Sequence, residues 1–392
     1  MRPNVQLAAI AVVCTCTLLP INCDAAAGAQ SDVEQIVAQS IRPDMQRYGI
    51  PGMAVGIVTR GRSDVYDYGV ASKATGRPVT SNTLFEIGSV TKTFTATLTA
   101  DAQVSGKLSL TDMASRYLPS LRGSSFDKVS LLNLGTHTPG GLPLQVPDNI
   151  KDHAQLMAYF QNWHPAYAPG TYRTYANPNI GMLGMIAAKS MNGEFDTLME
   201  QRLFARLGMR HTYLHVPAAE MENYAQGYTT QDIPIRLAQG MLASETYGIR
   251  ATAGDMLRFV KANMGMLDLD AALQRAITAT HTGYHRLGAM AQDLVWEQYD
   301  FPVGLGELLA GNSAKVMLEA NPAAPIDPPL LPHDDVLINK TGSTNGFAAY
   351  VAFIPEKGLG IVLLANKNYP IDARVTSAYE ILMRLDNNAS KH

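Results

Sequence analysis

The chain has 392 residues, a formal net charge of −3, 46% hydrophobic residues and 17% charged ones. That balance belongs to a globular protein long enough for a large core or two packed lobes. It excludes the basic excess of a nucleic-acid binder and the charge blocks of a disordered tail.

Arg2 precedes an apolar run from Leu7 to Ile21, too short for a membrane span. Small residues follow, and Ala27-Gly28-Ala29 fits an Ala-x-Ala cleavage site. Residues 1-29 therefore read as a signal peptide, with a mature start near Gln30. Cys14, Cys16 and Cys23 all fall in that leader, so the mature chain is expected to have no disulfide and no thiol ligand. Cys23 raises a lipoprotein anchor as the alternative, but Pro20-Ile21-Asn22 lacks the small residues such processing favours. The expectation is an exported, soluble monomer in the periplasm, without stable membrane attachment.

Asp32 to Tyr48 carries apolar residues at helical spacing and ends at Ile50-Pro51-Gly52. Met53 to Thr59 and Ser63 to Val70 read as strands joined across Arg60-Gly61-Arg62. A helix is predicted from about Ser89 to Val104. Helical pieces follow at Val129 to Leu134, Ala154 to Trp163, Ile180 to Ser190, Phe195 to Leu207, Ala253 to Met264 and Leu269 to Thr280. The proline-rich passage from Asn321 to Pro332 reads as a surface crossing. Val336 to Asn339, Phe347 to Ile354 and Leu359 to Ala365 read as an antiparallel meander, with a last helix over about Ala373 to Leu385. Strands at both ends with helices between imply one sheet built from N- and C-terminal segments and flanked by helices.

Three motifs carry chemistry. Gly88-Ser89-Val90-Thr91-Lys92 places a serine at a helix start with a lysine one turn on, so hydroxyl and amine share a face. The unsatisfied N–H groups there suit a serine that carries an oxyanion, and Lys92 is the nearest base. Taken alone the motif also fits an N-capping serine, and a second match, Ser125 to Lys128, lies in a polar turn. Tyr175-Ala176-Asn177 stands in a loop before a helix; a phenol serves as a base only when nearby cations pull its pKa down. Lys340-Thr341-Gly342-Ser343 ends an apolar strand, and its glycine lets a ligand lie close to the backbone. His211 with His215 and His281 with His285 stand four apart but lack the Glu of His-Glu-x-x-His, and read as surface residues. No metal and no cofactor are expected.

In that order, Ser-x-x-Lys, Tyr-x-Asn and Lys-Thr-Gly resemble the class C serine β-lactamases. The resemblance spans the mature chain, including Gly140-Gly141-Leu142-Pro143-Leu144-Gln145, Tyr247-Gly248-Ile249 and Leu364 to Pro370. It implies a two-lobed serine β-lactamase/penicillin-binding-protein-like fold, α/β plus all-α. The α/β lobe would take 30-100 and 236-392, and a mostly helical lobe 101-235, with the active site between them. By the same resemblance Ser89 is the acylated nucleophile, Lys92 its proton partner, and Tyr175 the base for acylation and for the deacylating water. Asn177 holds the substrate's side-chain amide, assisted by Gln145. Lys340 and Thr341 face the substrate carboxylate and the phenol, and Ser89 and Ser343 supply oxyanion N–H groups. Asn368 matches a carboxylate-side position and Tyr247 an aromatic wall. Ile371 replaces an Asn common in relatives, which shifts the expected carboxylate contact to Arg374 and Lys340.

A hydrolase of β-lactam substrates, cephalosporins and penicillins among them, is the resulting expectation. A peptidase or esterase of the same fold is the alternative, and a penicillin sensor that acylates and stalls is the third.

Overall fold

The computed structural model describes Met1 and residues 23–389, with side chains for Met1 and residues 32–388. The apolar run Leu7 to Ile21 lies outside the described residues. The first described helix runs Cys23–Tyr48, and the expected cleavage point falls in its early part, where side chains are not described.

Nine strands form one antiparallel sheet. Across it they run Ala324–Leu330, Gly283–Leu287, Met290–Gln292, Glu297–Asp300, Val336–Ser343, Ala348–Ile354, Leu359–Ala365, Gly52–Thr59 and Arg62–Gly69. The N-terminal hairpin thus docks on the C-terminal meander, with Met53 opposite Ala365 and Thr59 opposite Leu359. Successive side chains of a strand point to opposite faces. Ala54, Val58, Val362, Leu364, Val351 and Phe353 pack on one side, with Met256, Leu257 and Val260 of the helix Ala253–Asn263. Met53, Val55, Ile57, Ile361, Leu363 and Tyr350 pack on the other, with Ile36, Val37 and Ile41 of the first helix and Val375, Ile381 and Leu382 of the last helix, Ile371–Ala389. Both faces are covered, and that is why these strands read as unbroken apolar runs rather than as alternation. A third core, around Phe126, Leu134, Phe160, Leu183 and Ile186, lies among the helical pieces of the chain's middle.

The helix Thr91–Val104 joins two of these cores, Phe94 and Leu98 facing the sheet and Ala96 and Ala100 facing the helical region. It is buried from Thr91 to Ala102. Its threonines satisfy their hydroxyls internally: Thr93 donates to Val90 O at 2.8 Å, Thr97 to Thr93 O at 2.9 Å and Thr99 to Thr95 O at 2.8 Å. Buried hydroxyls without such acceptors would each cost stability.

Two expectations change. The passage from Asn321 to Pro332 holds the edge strand Ala324–Leu330, paired to Gly283–Leu287. An edge tolerates proline because the missing N–H would face solvent. His281 and His285 are not surface residues; both are buried at 5% exposure, His281 Nε2 donating to Asn263 Oδ1 at 2.9 Å. The three strands over residues 283–300 carry buried polar side chains such as His285, Gln292 and Glu297, and so lack the apolar run that marks the others.

Candidate active site

Ser89 sits in a single 3-10 turn, Gly88–Val90, that feeds directly into the buried helix. Gly88 has a φ of 51°, a left-handed conformation that favours glycine. The turn presses against the strand Val336–Ser343: a Cβ on Gly88 would lie 2.5 Å from Ser343 N, and one on Gly342 would lie 2.0 Å from Ile87 O. Two bare glycines therefore let the serine turn and the strand end meet backbone to backbone. That contact brings Ser343 beside the serine, as a two-donor oxyanion site requires.

Lys92 is wholly buried. Its Nζ donates to Ser89 Oγ at 2.8 Å and to Thr246 O at 3.0 Å. Burial pushes its pKa down to about 8, with Lys340 lowering it further and Tyr175 opposing. Tyr175 lies at the centre of a ring of cations. Lys92 Nζ and Lys340 Nζ each stand 5.1 Å from its ring centroid, and Arg173 Cζ stands at 5.5 Å. Burial alone would raise the phenol's pKa; Lys340, Lys92 and hydrogen bonding from Ser89 and Lys92 outweigh it and bring the pKa down to about 8.

The cations are balanced by a carboxylate. Glu297 Oε1 accepts from Arg173 Nη2 at 2.9 Å and from Lys340 Nζ at 3.5 Å, all three side chains being at most 5% exposed. Removing one partner of such a buried pair strands the other charge, at about 3–5 kcal/mol. His137 packs on the phenol with ring centroids 4.6 Å apart. Burial, then the positive charge of Arg173, Lys92 and Lys340, holds it neutral. Sequence reasoning missed Arg173, Glu297 and His137. Arg173 stands two residues before Tyr175, and Glu297 interrupts the apolar run Leu294-Val295-Trp296. A buried charge in such a run is the signal that could have found it.

The cleft has a volume of about 710 Å³ and is lined by Ser89, Gln145, Tyr175, Asn177, Tyr247, Thr341, Ser343 and Asn368, with Leu144, Met317 and others at its margin. Asn177 Nδ2 donates to Gln145 Oε1 at 2.8 Å, which fixes the amide's orientation. Lys92 and Lys340 lie just beneath the surface rather than on it. Arg374 is the exception to the expected set. Its Nη1 donates to Gly342 O at 2.7 Å, Ser343 Oγ at 3.1 Å and Ala349 O at 3.3 Å, and its Nη2 to Asn368 Oδ1 at 3.0 Å and to Tyr369 O. At 1% exposure it holds Ser343 and Asn368 from behind and does not line the cleft itself. Ile371 lines a separate apolar recess with Leu309 and Leu318.

A serine joined to a buried amine, a phenol of lowered pKa and a backbone donor opposite can form and release an ester. Fold and cleft together define a serine hydrolase of the β-lactamase and penicillin-binding-protein class. The family model described as Beta-lactamase matches residues 37–384. A beta-lactamase from Lysobacter lactamgenus is 52% identical over 354 residues, covering 90% of this chain and 92% of that protein. A solved class C beta-lactamase in complex with cefoxitin superposes with a TM-score of 0.89 at 54% identity, covering 91% of this chain and 99% of that one. A D-alanine carboxypeptidase from Burkholderia cenocepacia gives 0.88 at 57% identity, with coverage of 91% and 99%. The chain belongs to the class C group of the beta-lactamase family and is a β-lactamase.

Proposed function

We propose that the chain opens the β-lactam ring of cephalosporins and penicillins through an ester on Ser89. The observation that carries this is the contact of Ser89 Oγ with Lys92 Nζ at 2.8 Å beside a phenol flanked by two ammonium groups. Ser89 Oγ attacks the lactam carbonyl as its proton passes to the Lys92–Tyr175 pair. The N–H groups of Ser89 and Ser343 hold the oxyanion, and the ring nitrogen takes the proton as the C–N bond breaks. Water then attacks the ester, Tyr175 accepts its proton, and Ser89 leaves with a proton restored. Asn177 and Gln145 orient the substrate's side-chain amide. Thr341 and Asn368 line the side for its carboxylate, with Lys340 beneath. Intact mass and peptide mapping after brief exposure to a slowly hydrolysed cephalosporin should place the adduct on the peptide holding Ser89. Ser89→Ala should lose turnover by ~10⁶-fold, the size seen for a catalytic serine. Label on Ser125 would overturn the assignment.

The likeness to a D-alanine carboxypeptidase favours a second reading, in which the same ester forms from a peptide ending in two D-alanines. Release of D-alanine faster than hydrolysis of nitrocefin would make it the main activity. We further propose export, cleavage near Gln30 and a monomeric periplasmic protein, on the N-terminal pattern of charge, apolar run and small residues. Among the described residues no helix is long and apolar enough to cross a membrane. N-terminal sequencing of exported protein should begin close to Gln30; an acylated Cys23 would replace this with a lipoprotein.

A further inference from the structure

Behind the catalytic cleft lies a second cavity of about 690 Å³, and Met241 lines both. Its floor is apolar, from Leu118, Leu156, Phe195 and Leu242, all at most 7% exposed. Its rim is polar and exposed, with His153, Lys189 and Glu194. One charged group is set inside. Glu245 is partly buried against the helix Asn177–Ser190, where Gly184 makes room: a Cβ there would lie 2.7 Å from Glu245 Cγ. Among the described residues no cation pairs with the Glu245 carboxyl. The cavity's size suits a small organic ligand.

We propose that this cavity is a second small-molecule site that takes an amphipathic amine, its apolar body on the Leu156 and Leu242 floor and its ammonium on Glu245. An interior carboxylate without a counter-ion is costly, and a ligand cation relieves that cost. Burial, then the charge of Asp196, raises the Glu245 pKa to about 7. The other charged or titratable groups around it are Lys189, Glu194 and His153 on the cavity wall and Tyr247, whose own pKa Glu245 helps to raise. Asp196 is already paired with His215, and Lys189 is exposed and free to extend into water.

The site connects to the catalytic lysine. Glu245 O accepts from Thr95 Oγ at 2.6 Å, and the next carbonyl, Thr246 O, accepts from Lys92 Nζ. An occupant pulling on Glu245 therefore acts on the four-residue helix Ala243–Thr246 that carries an acceptor of the lysine.

The test uses the full chain, 4-phenylbutylamine as probe and 4-phenylbutan-1-ol as its neutral control. Binding by calorimetry should tighten as pH rises from about 6 to about 9, because the carboxylate forms across that interval. Glu245→Gln should weaken the amine roughly 10- to 100-fold, the range of a charge-assisted hydrogen bond, and leave the alcohol unchanged. With methyl-labelled methionines, the Met185 signal should move and the Met317 signal of the cleft should not. The amine should not compete with nitrocefin, since it is not in the cleft, and its effect on turnover should persist at saturating nitrocefin. The proposal fails if Glu245→Gln binds the amine as tightly as the parent, if Met317 alone responds, if the amine competes with nitrocefin, or if no saturable binding is found. The calorimetric and methionine measurements hold whether or not the hydrolase mechanism is as proposed.

Discussion

A phenol surrounded by cations gives up its proton more readily than one in water, and Tyr175 has three cations against its ring. With its pKa at about 8, the phenolate fraction grows as pH rises through that value. Turnover should therefore climb from about pH 6 towards about pH 8, the midpoint belonging to the Lys92–Tyr175 pair rather than to either group. Lys340→Ala removes a charge that lowers both pKa values, so the limb should move to higher pH in a pH–rate profile. Tyr175→Phe keeps the ring and removes the oxygen, and should cost roughly 10²–10⁴-fold in turnover. A profile unmoved by Lys340→Ala, or a Phe variant with the parent's rate, would assign the base to another group. That Ser89, Lys92, Tyr175 and Lys340 come together was legible because each motif fixes residue types at short spacing. The place of Arg374 behind the cleft wall was not legible, because sequence shows that a guanidinium is near the strand end but not which carbonyls it meets. Glu297 could be flagged only as a charge closing an apolar run, and its role could not be read because its partners, Arg173 and Lys340, stand 124 and 43 positions away.

The meeting of the serine turn with the strand Val336–Ser343 depends on two side chains that are absent. Gly342→Ala would drive a methyl into Ile87 O, a backbone atom that cannot rotate away. The strand should back off from the turn and carry Ser343 N with it. We expect roughly a 10²-fold fall in acylation rate, the scale of an ångström's misplacement, read from the burst phase of nitrocefin hydrolysis. An unchanged burst would mean that the oxyanion is held without this contact. Helices and strands with strong apolar signals were predicted to within a few residues, as with Leu359–Ala365. The strands Gly283–Leu287, Met290–Gln292 and Glu297–Asp300 were missed because they bury hydrogen-bonded polar side chains, such as Gln292 on Arg173 Nε at 2.6 Å. Composition without partners cannot distinguish those from loops.

The sheet as a whole could be anticipated from its ends, since apolar β-runs at residues 53–59 and 336–365 have no other way to cover both faces. Its order could not, because pairing between strands so far apart leaves no mark in local sequence. Gly52 N donates to Asn366 Oδ1 at 2.8 Å across a separation of 314 positions. Such pairing also imposes a sequence in time. While the chain is being synthesised, Ser89 and Lys92 exist long before Lys340, Ser343 and the strand that locks them in place. A nascent chain therefore holds its nucleophile without the second ammonium group beside Tyr175, that of Lys340, or the second oxyanion donor. It should remain chemically silent towards penicillins until almost its last residues are made. Chains halted at successive lengths and offered a labelled penicillin should take up label only once Ala365 has been added, whereas labelling of chains that stop before Val336 would show that the first half of the site reacts unaided.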